Sequence, residues 1–242
     1  MYIDNLVLEL TRQCNLKCQH CLRGGAQRLK MSREVMYNTL SHVSHIGCLT
    51  LTGGEPSLAT DVMEELISFL KWHKVTLSYF YIVTNGKTRN GWKKFLGLCG
   101  ELYEWADEKG SCSLSCSQDK YHREMHDINL NKFREEWGDY LPYFQPEGHK
   151  EVYNVLREGR SASGLGWKDP VQQKPWVIED ESELCIYEGM VYVAANGNVT
   201  SECDMSFSRI DKESKGNVLK APLPEIIRGY SVMRVDEVSA TA

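Results

Sequence analysis

No stretch of about 18 consecutive apolar residues occurs in the 242-residue sequence, so no segment reads as a membrane-spanning helix and no membrane partner is expected. The opening MYIDNLVLELTRQ has neither the basic start nor the small-residue cleavage site of a secretory signal, and a cytoplasmic location is expected. Positive charge is scarce and scattered, with 28 Lys and Arg against 33 Asp and Glu and a net charge of -5. That pattern lacks a phosphate-backbone footprint, and nucleic acid is not an expected partner. Low-complexity tracts and repeats are also missing. With 42% apolar and 25% charged residues, the chain has the composition of one large globular domain, or of a domain with a small appendage.

Cysteine is what the sequence has in excess. Nine cysteines, an odd number with no secretory signal, argue against a disulfide framework and for metal binding or reactive thiols. Cys14, Cys18 and Cys21 form a CxxxCxxC triplet within TRQCNLKCQHCLRG. Nine cysteines scattered over 242 positions would produce that spacing roughly 0.01 times by chance, so coincidence is a weak explanation.

Strand-like runs alternate with helical periodicity, which is the mark of an α/β architecture. The reading places a strand over Asp4 to Thr11, then the cysteine loop, then a helix from the N-cap Ser32 through Val35, Met36, Leu40, Val43 and Ile46 to a stop at Gly47. A strand over Cys48 to Thr52 ends in GGEP, Gly53 to Pro56. A second helix is capped by Asp61, and a third strand over Thr76 to Thr84 runs into Asn85 and Gly86. A helix around Trp92 to Leu102 precedes a fourth strand over Ser113 to Ser117, followed by Asp119. Further on come a helix around Leu130 to Leu141, a strand near Val152 to Leu156, and a hairpin from Val191 to Cys203 turning at Asn196 and Gly197. Strands joined by helical crossovers pair in parallel, and about six units fit the length. Ligands of such sheets sit at the carboxyl ends of the strands. The cysteines, GGEP, TNG and SQD all fall there, so one site built from four loops is expected.

Three thiolates in one loop can hold three corners of a cubane iron–sulfur cluster and leave a fourth iron open to a ligand. With that loop directly after the first strand, the sequence resembles the radical S-adenosylmethionine (radical SAM) superfamily over about residues 4 to 160. The resemblance implies a partial (β/α)6 TIM-like barrel and a [4Fe-4S] cluster on Cys14, Cys18 and Cys21. It further implies S-adenosylmethionine bound at the open iron and cleaved to a 5′-deoxyadenosyl radical that abstracts hydrogen from a peptide or small-molecule substrate. An electron donor such as flavodoxin or ferredoxin belongs to that chemistry. Cofactor contacts implied by the resemblance are Gly53, Gly54, Glu55, Pro56, Thr84, Asn85, Ser117 and Asp119, with His20 against the adenine. No catalytic residue acting on substrate is named.

The expected division is a core barrel over 1–165 and, over 166–242, final barrel elements with a small hairpin-containing cap. Cys185, the Asn196-Gly197 turn, Cys203 and Gly216 to Val218 resemble a truncated twitch or SPASM-type extension. Cys203 comes one residue later than that pattern has it and no cysteine follows, so a second cluster is not expected. Cys112 and Cys116, on one face of the fourth strand, read as buried small hydrophobes. His122 and His126 read as ordinary loop or capping residues, and Arg160 as either a carboxylate binder or a solvated loop residue. Alternatives within the class are a glycyl-radical-enzyme activase or a small nucleoside-modifying enzyme; outside it stands a zinc-binding module using Cys14, Cys18, Cys21 and His20.

Overall fold

The computed structural model describes residues 1–87, 92–117, 142–145, 155–178 and 184–234. The chain's central strand is β1 (Tyr2–Thr11), whose run LVLEL is buried on both faces, as parallel sheets require. On one side it pairs in parallel with β2 (His45–Gly53), and the parallel order continues through β3 (Thr76–Thr84), β4 (Ser113–Cys116) and the short β5 (Phe144–Gln145). After β6 (Trp176–Ile178), the strand β7 (Cys185–Val193) lies parallel to β1 on its other side, with β6 antiparallel along its outer edge. Strands β8 (Asn198–Thr200) and β9 (Gly216–Asn217) extend the hairpin from β7, and β10 (Ser231–Met233) pairs with β6. Six parallel strands thus run β7-β1-β2-β3-β4-β5 in an α/β sheet whose ends do not pair among the described residues. It is an unclosed, barrel-like arrangement.

Helices α1 (Arg33–Leu40), α2 (Thr60–His73) and α3 (Trp92–Trp105) bury apolar stripes such as Val62, Met63, Leu66, Ile67 and Leu70 against the sheet. Ser32 caps α1, its hydroxyl accepting from the Val35 amide at 3.2 Å. That helix ends at Leu40, earlier than its periodicity suggests, because Ile46 and Gly47 already belong to β2. Asp61 is not the cap of α2: that position is Ala59, and Asp61 lies inside the first turn and pairs with Lys30 at 2.6 Å. The fifth strand is Phe144–Gln145. The expected strand near Val152 to Leu156 is only an isolated bridge of Leu156 with Lys168 within the described residues. In the hairpin, Gly197 alone takes positive φ (86°), and its N–H bonds the Ala194 carbonyl at 2.8 Å. Since the Ala194 amide also donates to the Asn198 carbonyl at 2.8 Å, the connection is a three-residue loop, Ala195 to Gly197, with glycine in the left-handed position, and not the two-residue form. The helix expected around Leu130 to Leu141 lies outside the described residues, as do His122 and His126.

A buried ionic cluster fastens the C-terminal segment to β1. Glu9 and Arg12 are 0% and 1% exposed, and Arg12 Nε donates to Glu9 at 2.7 Å. The guanidinium also forks onto Asp211 of α4 (Phe207–Glu213), with both N–H···O distances 2.8 Å, and stands 4.7 Å over the Phe207 ring. Glu9 in turn accepts from the Tyr192 hydroxyl and, at 3.0 Å, from the Ala195 amide. Burial works against the Arg12 charge, but the bonds to Asp211 and Glu9 outweigh it and hold the guanidinium above its ordinary pKa. Replacing Arg12 with Met should lower stability by about 3–5 kcal/mol, because Glu9 is left as a buried charge without its cation. Asp211→Asn should cost less, since the Asp211 side chain is 41% exposed. Urea denaturation midpoints of the two variants check this; equal losses would show that Glu9 does not need Arg12.

Candidate cofactor site

The carboxyl ends of β1 to β4 open onto one cavity of about 550 Å³. Its walls include Cys14, Cys18, His20 and Cys21 from the loop after β1, Gly53, Gly54, Glu55 and Pro56 after β2, Thr84 and Asn85 after β3, and Ser117 after β4. Asp119 lies outside the described residues. Strand direction explains the convergence: parallel neighbours in register end at the same side of the sheet, so their following loops share one rim.

The turn after β2 is stapled to the base of the cysteine loop. Gly54 N donates to Thr11 O at 2.7 Å and Glu55 N to Gln13 O at 2.8 Å. A Cβ on Gly53 would stand 2.2 Å from the Thr11 oxygen, and one on Gly54 2.2 Å from the Gln13 oxygen. Only glycine permits that approach of two backbones.

Glu55 is 1% exposed and ties the second strand end to the third. One carboxylate oxygen accepts from the Ser57 amide at 3.1 Å and from the Thr84 hydroxyl at 2.6 Å; the other accepts from the Asn85 amide at 2.8 Å. Burial pushes its carboxyl above the usual range, and these donors oppose that shift. Asn85 carries the connection on to the cysteine loop, with its amide 2.9 Å from the Asn15 side-chain oxygen and 3.8 Å from Cys14 Sγ. Cys14 Sγ also faces the Leu16 amide at 3.4 Å, and burial pushes the Cys14 thiol upward.

All nine cysteines are free thiols. A single tetrahedral zinc with Zn–S bonds of about 2.3 Å draws its thiolates to roughly 3.8 Å from one another. Among the described residues, Cys14, Cys18 and Cys21 make no trio of sulfurs within 4.8 Å. The donor set suits a multinuclear centre, whose thiolates bind different metal atoms. Glu202, Cys203 and Asp204 do approach within 4.8 Å, but Glu202 Oε1 already accepts from the Cys203 and Asp204 amides at 2.8 and 2.9 Å, a local turn. Cys185 and Cys203 cannot share a centre. Cys185 pairs with Tyr2 at the amino end of β1, whereas Cys203 lies at the cavity end, its carbonyl accepting from Arg23. Burial pushes the Cys203 thiol up to about 12.

Sequence reasoning missed several residues. Arg23 donates to the Cys203 and Met205 carbonyls at 2.6 and 2.7 Å, joining the cysteine loop to the C-terminal segment. Val155, Leu156, Lys168, Asp169, Val171 and Asp204 complete the cavity wall. Among the described residues Arg160 bonds no carboxylate; NH1 donates to the Cys18 carbonyl at 3.1 Å. The sequence does carry a signal for Arg12: Glu9 interrupts the apolar strand, and Arg12, a base three residues on, directly follows it.

No protein-family model matches the chain. Over 91 residues, 36% of the chain, it is 37% identical to a protein of Pyrococcus horikoshii described as "Probable GTP 3′,8-cyclase". Over 103 residues, 40% of the chain, it is 30% identical to one of the same description from Thermococcus kodakarensis. The chain spans 28% and 32% of the lengths of these two relatives. Among solved structures, native anSMEcpe with bound AdoMet and Kp18Cys peptide is similar with a TM-score of 0.55 at 15% identity, covering 93% of this chain and 80% of that one. That likeness shows a shared fold.

Placing a methyl on Gly54 should destabilise the metal-free protein by about 1–3 kcal/mol, the ordinary penalty of overpacking against backbone. Gly25→Ala, where a Cβ meets nothing within 4 Å, is the control and should change stability by less than about 0.5 kcal/mol. Thermal unfolding distinguishes them; equal melting temperatures would mean that the staple between the two loops is not rigid.

Proposed function

We propose that the chain is a radical SAM enzyme that binds a [4Fe-4S] cluster through Cys14, Cys18 and Cys21 and S-adenosylmethionine in the cavity beside them. The observation that carries this reading is the meeting of the three-thiol loop with the GGEP turn and the Thr84-Asn85 pair around one cavity. The chemistry the bound pair supplies is one-electron cleavage of S-adenosylmethionine followed by hydrogen abstraction from substrate.

The protein's own share is position. Gly53 and Gly54 let the turn after β2 lie directly against the backbone at the base of the cysteine loop, and Glu55, held by three donors, fixes the relation of the second and third strand ends. His20 and Ser117 line the same cavity, which suits a contact to the adenine and to the ribose or methionine portion. Asp119, two residues beyond Ser117 in the sequence, is proposed to add to the latter. Residues 1–165 would carry the cofactors, and 166–242 would complete the sheet and cap the substrate side through Lys168, Asp169, Val171 and Asp204. The substrate class is a peptide or a small molecule: anSMEcpe with its bound peptide is a precedent on this fold, and the cyclase relatives are a precedent for a nucleotide. A flavodoxin- or ferredoxin-like protein would supply the electron.

Anaerobically prepared protein should contain about four irons and four sulfides per chain, the content of one cubane. Replacing Cys14, Cys18 and Cys21 together with Ala should abolish iron binding and the formation of 5′-deoxyadenosine from S-adenosylmethionine. The double variant Cys185→Ser, Cys203→Ser should keep the wild-type iron content. Zinc in place of iron, without sulfide, would overturn the assignment; iron near twice the one-cubane content, halved in the double variant, would make the C-terminal segment a second redox centre.

A further inference from the structure

The short helical turn Gly159–Ser163 lies against the cysteine loop at Cys21 and Leu22, whereas GGEP meets the chain at Thr11 to Gln13. Gly159 has φ 61°, and a Cβ there would stand 2.1 Å from the Leu22 oxygen and 2.5 Å from the Cys21 oxygen. The contact is therefore backbone on backbone. Arg160 follows with two bonds to the same loop: its amide donates to Cys21 O at 3.0 Å and its NH1 to Cys18 O at 3.1 Å. Two of the three cysteines in the triplet are thus held by their carbonyls through one residue.

The turn is itself anchored. Glu158, 5% exposed, accepts from the Ser206 amide at 2.5 Å and from Arg209 NH1 at 2.8 Å. Glu158 thereby fixes the backbone from which Arg160 reaches the cysteine loop. The Arg160 guanidinium lies on the main chain of the cysteine loop beside Cys18, and among the described residues no carboxylate pairs with it. A cation fixed beside thiolate ligands stabilises whichever oxidation state carries more negative charge, which for a cluster is the reduced one.

We propose that Arg160 is a positioning residue for the cluster, pinning the Cys18 and Cys21 carbonyls and raising the reduction potential of the centre that this loop holds. The inference rests on the cluster reading above and names a residue to which that reading gives no part.

The test uses reconstituted full-length protein as wild type, Arg160→Gln and Arg160→Lys. Iron and sulfide content, the rate of iron loss to a chelator, and the midpoint potential from a redox titration followed by electron paramagnetic resonance are measured. Arg160→Gln should take up the wild-type amount of iron, lose it several-fold faster, and be reduced only at a lower potential; Arg160→Lys should restore the potential. Should the Gln variant fail to load, the Lys variant decides, with loading at the wild-type potential supporting the inference and a failure to load overturning it. Wild-type potential and iron-loss rate in Arg160→Gln would also overturn it. Wild-type protein holding neither iron nor sulfide would instead refute the cluster reading itself.

Discussion

A guanidinium cannot be buried alone, and Arg12 sits at the one place in this chain where that rule has the widest consequences. It immediately follows β1, two residues before Cys14, and it is satisfied by four groups from three places: Glu9 on the preceding strand, Gln27 beyond the cysteine loop, and Asp211 and Phe207 on α4. A buried ion pair of this kind contributes little net stability compared with a well-packed apolar substitute. Its effect is on position. The chain can bury Arg12 only by bringing α4 to the carboxyl end of β1, and Asp204, just before α4, stands in the cavity wall.

The cysteine loop has little regular structure, so its backbone groups must find partners elsewhere. They find them in the neighbouring loops: Thr11 and Gln13 carbonyls with Gly54 and Glu55, Cys18 and Cys21 carbonyls with Arg160, and the Arg23 carbonyl with the Phe207 amide. The loop is therefore shaped by the protein before any metal arrives. Preformed geometry of this sort reduces the ordering cost at binding, at the expense of positions where only glycine fits.

Much of this was legible in the sequence. The bounds of β3 are those read from its apolar run, β1 and β2 are extended by a few residues, and Ser32 caps α1 as its position suggests. The GGEP, TNG and cysteine segments meet because strand alternation fixes which ends they follow. What was not legible is pairing across long sequence distances. The turn at Asn196 and Gly197 marks a hairpin from Val191, but nothing local says that its first strand starts at Cys185 or that its partner is β1. Likewise Glu55 reads as a charge available to a ligand, whereas both its oxygens are committed to the neighbouring strand end. Arg160 reads as a loop residue because its acceptors, two main-chain carbonyls, leave no mark on side-chain identity. The end of α1 was misplaced for a related reason: Val43 and Ile46 continue a helical stripe while β-pairing with β1 already claims Ile46.

The tripeptide Glu158-Gly159-Arg160 joins these themes. Its first residue bonds α4, its second touches the backbone of the cysteine loop, and its third holds two carbonyls of that loop. The residues on either side of it, Val155 and Leu156 before and Lys168 to Val171 after, form the far wall of the cavity. One short segment thus touches the cap, the thiol loop and the wall at once. Because Ser161 also closes it internally, with its hydroxyl donating to the Glu158 carbonyl at 2.6 Å, the segment transmits displacement as a unit and does not absorb it. Any rearrangement of the far wall must therefore either break the Glu158 and Arg160 bonds or carry the Cys18 and Cys21 carbonyls with it.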